Sequence, residues 1–269
     1  MEILDLTQDL ADEQGPPRSG IARVLAVMRT IADSGQPQGV SGIARETGLS
    51  KAVAYRILRE LVGGEFLRFD DDTKVYRLGS GALDIGLAAL RELDVPAVAH
   101  RHLAALSRRA GETATLSLRQ GWSRVYVDQV LAEHEIRMAV ALGTRHPLHA
   151  GSSSKAILAA LPDTEVADYI EHHRLEGVTD ATITSAATLR EEIGRIRTLG
   201  YATSEGERQS GAASVAAAVF GAMGQVLGSV SLCGPQDMFV RRRTDELAGW
   251  VTAAAADVSA DLGHRAPRG

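Results

Sequence analysis

Three groups of residues in this 269-residue chain are of types and spacings that do chemistry. Lys51, Arg56 and Arg59 set three cations around Tyr55. On one helix such a set suits phosphate oxygens and the edges of bases. Ser152-Ser153-Ser154-Lys155 spells the S-x-x-K pattern in which a serine attacks an acyl carbon. A small-molecule hydrolase using Ser152 and Lys155 is therefore the alternative reading, but its companion S-D-N and K-T-G elements do not occur. His146 and His149, with His134, offer imidazoles to a metal. A His-x-x-His without a nearby carboxylate pair is a weak ligand set, and surface or hydrogen-bonded histidines are the ordinary reading. No catalytic residue, metal or cofactor is expected.

The three cations need an element to hold them. Val40–Leu61 reads VSGIARETGLSKAVAYRILREL. A short apolar-periodic segment carries small Ala44, where a second helix can cross closely. Gly48 follows and supplies the left-handed backbone of a tight turn. Ser50 can cap a second helix that starts at once. This is the pattern of a helix-turn-helix, whose partner is duplex DNA. In the second helix Ala54, Ile57, Leu58 and Leu61 share one face. Ala52, Tyr55 and Arg59 lie opposite, flanked by Lys51 and Arg56, with Val53 at the rim. Ser50, Lys51, Ala52, Val53 and Tyr55 are candidates for the base edges, Arg56 and Arg59 for phosphate or guanine. The two arginines would equally solvate an amphipathic helix that met no DNA.

The flanks complete a winged version of the motif. Ile21, Val24, Leu25, Met28 and Ile31 recur at helix spacing, which predicts a supporting helix over about Ser19–Asp33, ended by Gly35 and Pro37. Two strand-like runs, Phe66–Phe69 and Lys74–Leu78, are separated by Asp70, Asp71, Asp72 and Thr73, which is turn chemistry. Arg68, Lys74, Tyr76 and Arg77 are placed to touch the DNA backbone or minor groove. The aspartates at the tip would repel phosphate.

Charge is distributed as this reading requires. The chain is net −5, yet residues 18–78 hold 10 Lys+Arg against 7 Asp+Glu. The first 17 residues hold five acids and no base. A basic excess confined to the motif is an electrostatic footprint for DNA, and its modest size implies a dimer. The acidic arm, with Ile3, Leu4, Leu6 and Leu10, could also pack as a short helix on a partner. It is no signal peptide, and no apolar run reaches the length of a membrane span. One cysteine, Cys233, excludes an intrachain disulfide and fits a reducing cytoplasm.

Beyond the wing, Leu78–Leu93 is a helical run with Leu83, Ile85, Leu87, Leu90 and Leu93 spread around its surface. A helix apolar all round is buried or shared with another chain, so this one reads as a linker that dimerises; simple domain packing is the other reading. A helix to about Ala110 follows. Strands are expected at Thr113–Arg119, Arg124–Val130 and Ile136–Ala141, then helices at Ser153–Ala160, Thr164–Ile170 and Leu189–Leu199. Strands at Ser214–Phe220 and Val226–Leu232 and a long helix over about Met238–Leu262 complete an α+β domain, with helices packed on an antiparallel sheet.

ARETGLSKAVAYRILREL at Ala44–Leu61, YRLG at Tyr76–Gly79, HPLHAGSSSKAILA at His146–Ala159, GYATSEGE at Gly200–Glu207, SVAAAVF at Ser214–Phe220 and SVSLCGP at Ser229–Pro235 occur in this order. In them the chain resembles the isocitrate lyase regulator (IclR) family of bacterial transcription factors. The resemblance implies an N-terminal winged helix-turn-helix, a linker helix and a C-terminal GAF-like effector domain. The expected limits are an arm at 1–17, a DNA-binding domain at 18–78, a linker at 79–94, an effector domain at 95–264 and a tail at 265–269. It also implies a dimer or a dimer of dimers in the cytoplasm, a double-stranded DNA operator, and repression or activation of metabolic operons, with repression favoured over activation. Operator affinity would be modulated by a small organic carboxylate.

The family's pocket carries over to Ser152 and Ser153 as a backbone carboxylate site, and to Ser204 and Ser214 where the type member has an acid and a cysteine. Ser231 and Cys233 replace a pair of serines, and Met138 and Leu142 form an apolar wall. That pocket is expected to be hydroxyl-rich and nearly uncharged. There are departures. Ala52-Val53-Ala54 stands where Ser-Thr-Val is common, so readout would lean on thymine methyl groups. Gly39 and Gly42 replace a cap and a helix former, so the first motif helix is expected to fray at its start.

Overall fold

The computed structural model describes residues 19–91, 94–135, 137–241 and 244–265. The chain divides into two compact units, Met1–Glu92 and Leu93–Gly269. The acidic arm lies outside the described residues.

The first unit is three helices and a hairpin: α1 (Gly20–Ser34), α2 (Val40–Thr47), α3 (Lys51–Gly63), β1 (Leu67–Asp70) and β2 (Val75–Leu78), followed by α4 (Ser80–Arg91). Ser19 caps α1 and Ser50 caps α3, each hydroxyl accepting from a backbone N–H in the first turn. Gly48 joins α2 to α3 at φ +67°, where a side chain would be strained. Val27, Ile31, Ile43, Leu58, Leu61, Leu67 and Tyr76 form one core. The start of α2 has no side-chain cap, as Gly39 implies; Gly42 and Ile43 donate to the Gly39 carbonyl, and Ile43 is fully buried.

The hairpin is joined by an isolated bridge from Gln38 to Tyr76. Tyr76 is only 5% exposed and packs on Phe69 with ring centres 4.7 Å apart. It is a core residue, which corrects its assignment to the DNA face: Tyr76 lies on the inward side of the two-residue strand alternation. Helix α4 is tied to this unit. Gly79 and Gly81 donate to the Phe66 and Glu65 carbonyls, and a side chain on Gly79 would stand 2.2 Å from the Glu65 oxygen. Along α4, Leu83, Ile85 and Leu87 are exposed.

The second unit is a six-stranded antiparallel sheet between two helical layers. After α5 (Val95–Ala110) come β3 (Thr113–Gln120), β4 (Ser123–Val130), β5 (Arg145–Pro147), α6 (Ser152–Ala159), α7 (Asp163–His172) and α8 (Ala186–Leu199). Strands β6 (Ala202–Glu205), β7 (Ala212–Phe220) and β8 (Val226–Pro235) and helices α9 (Gln236–Arg241) and α10 (Thr244–Asp261) follow. The strand order is β5-β4-β3-β8-β7-β6, every pair antiparallel.

Strand alternation gives the sheet two different faces. Ala114, Leu116, Val215, Ala217, Val219, Val230 and Leu232 pack on α5 and α10. The alternate positions, Thr113, Thr115, Ser117, Ser214, Ser229 and Ser231, carry hydroxyls. Thr115 bonds Ser231 at 2.7 Å, and Ser229 donates to the Ser153 carbonyl of α6. Helix α6 therefore lies on the hydroxyl face, while Ile157, Leu158, Tyr169, Leu189 and Ile193 build a second core beyond it.

Two expectations change here. No strand forms over Ile136–Ala141; Ile136 itself lies outside the described residues. That stretch is held by side chains that take the place of a ladder: Thr113 donates to the Met138 carbonyl, and Gln129 both donates to the Val140 carbonyl and accepts from its N–H. The terminal helical run is described as α9 and α10, with residues 242–243 between them outside the described residues. Short, polar β5 and β6 add two strands that the apolar patterning does not predict.

Candidate functional site

In the first unit the outward face of α3 carries the proposed reading residues. Ala54 and Leu58 are fully buried, whereas Lys51, Ala52, Tyr55, Arg56 and Arg59 are exposed and Val53 is intermediate. Exposed Ser50 spends its hydroxyl on the Val53 N–H. On the hairpin, Arg68 and Arg77 are exposed and directly opposite each other across the strands. Like charges in register repel, a repulsion that an anion between them would relieve. Lys74 sits at φ +57° in the turn, 3.6 Å from Asp71 and over the Phe69 ring. Asp70 closes that turn by accepting from Asp72 and Thr73.

In the second unit a cavity opens between the N-terminus of α6 and the hydroxyl face. Met138, Ser152, Ser153, Ser204, Ser214, Ser231 and Cys233 line it, together with Arg124, Tyr126, Glu207 and Arg208. Seven of the eight residues carried over by motif thus meet at one place. Leu142 does not: it is 51% exposed and outside the lining, because the segment that carries it is not a strand and turns outward. Sheet register explains the convergence. Ser204 pairs with Ser214, Ser214 with Cys233 and Cys233 with Thr113, a row running across four strands.

Helix α6 begins at Gly151, φ +88°, with no side-chain cap on its first turn. Helix N-termini present free N–H groups and a positive dipole end. Ser152 shares a 2.7 Å hydrogen bond with Ser214. Desolvation pushes the Cys233 thiol up to about 12, so it faces the cavity as a neutral thiol.

The expectation of a nearly uncharged pocket is overturned. Arg124, 1% exposed, donates to the Ser154, Ser117 and Tyr126 hydroxyls at 2.8, 2.9 and 3.0 Å. Burial lowers its pKa from the usual arginine value, and Tyr126 opposes that fall. Glu207 accepts from the Gly151 N–H at 3.0 Å and from Lys155 at 2.5 Å. Lys155 also bonds Glu192, which is gripped by Arg195. Motif matching reaches the Gly200–Glu207 segment but not Arg124. The available signal was period two: Arg124 and Tyr126 share a strand face, though the strand alone does not say which face is inside.

The S-x-x-K residues do not form a nucleophilic pair. Lys155 is committed to two carboxylates, and the Ser152 hydroxyl bonds Ser214. His149 is buried against the Tyr169 hydroxyl and the Glu176 carbonyl, while His146 bonds Thr144. Among the described residues no group of three His, Cys, Asp or Glu side chains is gathered to hold a metal, and no helix is long and apolar enough to cross a membrane.

Comparison with known proteins places both units. The IclR helix-turn-helix domain matches residues 20–71, and the domain described as "Bacterial transcriptional regulator IclR C-terminal" matches residues 87–260. The chain belongs to the IclR family. It is 30% identical over 243 residues to the HTH-type transcriptional repressor AllR of Klebsiella pneumoniae, spanning 90% of this chain and 89% of that one. AllR of Escherichia coli K12 is 28% identical over 246 residues, 91% of each chain. Among solved structures, the Thermotoga maritima IclR superposes with TM-score 0.62 at 30% identity, over 91% of this chain and 98% of that one. Pseudomonas aeruginosa HmgR superposes with TM-score 0.76 at 26% identity, over 90% and 96%. As an IclR-family member the chain is a DNA-binding transcriptional regulator rather than an enzyme, with a hairpin-winged helix-turn-helix and an α+β effector domain.

Proposed function

We propose that this IclR-family regulator is a repressor whose operator affinity is set by a small carboxylate bound in the α6 cavity. In this reading Ser50, Lys51, Ala52, Val53, Tyr55, Arg56 and Arg59 enter the major groove, and Arg68, Lys74 and Arg77 contact the flanking backbone. The effector lies on the N-terminus of α6 at Ser152 and Ser153. Met138, Ser204, Ser214, Ser231 and Cys233 surround it.

The observation that carries the effector reading is the uncapped first turn of α6 opening into a hydroxyl-lined cavity. A carboxylate there gains helix-end N–H bonds, and the hydroxyls select its substituents. Repression is supported by the AllR relatives. Binding shifts operator affinity only through the ligand's differential affinity for two arrangements of the regulator.

The operating unit is a dimer or a dimer of dimers, since a small basic excess reads two half-sites better than one. The exposed Leu83, Ile85 and Leu87 of α4 are the proposed seam. Sedimentation of a monomer that still binds a single half-site tightly would remove that seam. For the cavity, Ser214→Phe fills the space beside Ser152 and is expected to abolish the effector response, with operator binding in the absence of effector as the folding control. A Ser214→Phe protein that responds like the unmodified one would place the effector elsewhere.

A further inference from the structure

The cavity contains two cations that the helix-end site does not need. Arg124 is held only by neutral hydroxyls, and Arg208 is partly exposed at the cavity rim. Both guanidinium groups sit against the Tyr126 ring, at 4.1 and 5.3 Å from its centre. Among the described residues neither forms an ion pair with a carboxylate. The one carboxylate in the described lining, Glu207, is already satisfied by Lys155 and the Gly151 N–H. The two guanidinium groups thus line the cavity without an ion-pair partner of their own among the described residues. Their field is felt at His146, on the adjacent strand: burial first, then Arg124 and Arg208, lower its pKa to about 4.

A buried cation that is hydrogen-bonded but not charge-paired is costly unless something neutralises it. Two cations beside a helix N-terminus make a site with two positive poles. We propose that the effector of this chain is a short-chain dicarboxylate, one acid group on the α6 N-terminus beside Ser152 and Ser214, the other on the guanidinium of Arg124 with Arg208 closing over it. This rests on the reading of the cavity as the effector site. Arginine suits the second pole because its planar fork meets a carboxylate with two parallel bonds. A monocarboxylate would leave one pole unanswered. The cavity volume is about 30 Å³, where about 10–15 Å³ on the same measure holds one water, so the ligand is short and its entry moves the rim residues Arg208 and Gln209.

The test uses the full chain and matched acids at constant ionic strength: acetate with oxalate, propionate with malonate, butyrate with succinate. Binding is read by calorimetry and by thermal shift. At least one dicarboxylate is expected to bind tenfold or more tighter than its partner, roughly the worth of one charge-assisted hydrogen-bond set. Arg124→Met and Arg208→Gln should each erase that preference, and Arg124→Lys should restore part of it. Arg208 is partly exposed, so Arg208→Gln keeps the test open should the buried Arg124 variant fail to fold. Equal binding of mono- and dicarboxylates, a preference that survives Arg208→Gln, or no dicarboxylate binding at millimolar concentration overturns the proposal. Ser214→Phe separates this from the broader reading. If it abolishes binding of monocarboxylates that show no such preference, the cavity stands as the effector site and only the dicarboxylate proposal falls. If acid binding is indifferent to Ser214→Phe, both fall.

Discussion

Helices α3 and α6 each start beside serine and lysine, yet they are built for opposite purposes. In α3, Ser50 caps the helix and Lys51 stands in solvent. Its inner face, Ala54, Leu58 and Leu61, is buried and its outer face is cationic. In α6 every residue from Ser152 to Ala159 is buried, and Lys155 is held between Glu192 and Glu207. The same residue types therefore face outward to a macromolecule in one unit and inward, with a cavity among them, in the other. An exposed cation costs little and is free to meet phosphate; a buried one must be hydrogen-bonded or paired in place.

The sharpest way to break this contrast is to remove each lysine. Lys155→Met leaves Glu192 and Glu207 facing each other in a buried site and should destabilise the effector unit by about 3–5 kcal/mol, a loss of roughly 10 °C in thermal unfolding. Lys51→Met should change stability by less than about 0.5 kcal/mol while weakening operator binding. Equal thermal shifts for the two variants would erase the distinction.

A smaller effect sharpens the outward half. Arg56→Ala with Arg59→Ala should weaken operator binding by about tenfold for each arginine that bonds a base or phosphate. The salt slope should fall by roughly one per phosphate. Thermal unfolding should be unmoved. Unchanged affinity and slope in a titration with labelled operator would take α3 out of the interface.

The smallest effect concerns pH and the wing. The Asp70 carboxyl lies below its ordinary 3.8, first because it accepts from the Thr73 N–H and hydroxyl, with Asp72 and Arg77 contributing further. A depressed folded pKa means that its support of the turn is full above the unfolded value and is lost as pH falls through the lower, folded value. A carboxyl NMR titration of Asp70 should therefore end below that of a free aspartate, and Asp70→Asn should flatten the acid-side change in the wing's amide signals. A midpoint at or above 3.8 would contradict the turn geometry.

How legible each region is in the sequence follows from this difference in burial. In the first unit one side of each helix meets solvent, so period 3.6 marks the inner face. Ala54, Ile57, Leu58 and Leu61 can be assigned to it, and Gly48 and Ser50 name the turn and the cap. Tyr76 is not legible in this way, because a two-sided strand has two candidate inner faces, and only packing against Phe69 and the helices chooses between them. In the second unit the strands at β3, β4, β7 and β8 are legible as alternating runs. The stretch after Gln129 is not, since its apolar residues look like a strand but their partners are the side chains of Thr113 and Gln129.

The sequence by itself determined the family, the helix-turn-helix and its outward face, the order of most elements in the α+β domain, and the serines that gather at the α6 cavity. The helix faces, caps and turns rest on local patterns that act over a few residues and need no knowledge of distant neighbours, whereas the family and the pocket serines come from the resemblance of the motifs to the IclR family. Only the tertiary structure decided the charge of the cavity and the exclusion of Leu142 from it. Arg124 meets Ser154 across 30 positions and Lys155 meets Glu207 across 52. Pairing over such separations is set by sheet register and helix packing, and it turns a hydroxyl-rich motif into a cavity lined by two arginines.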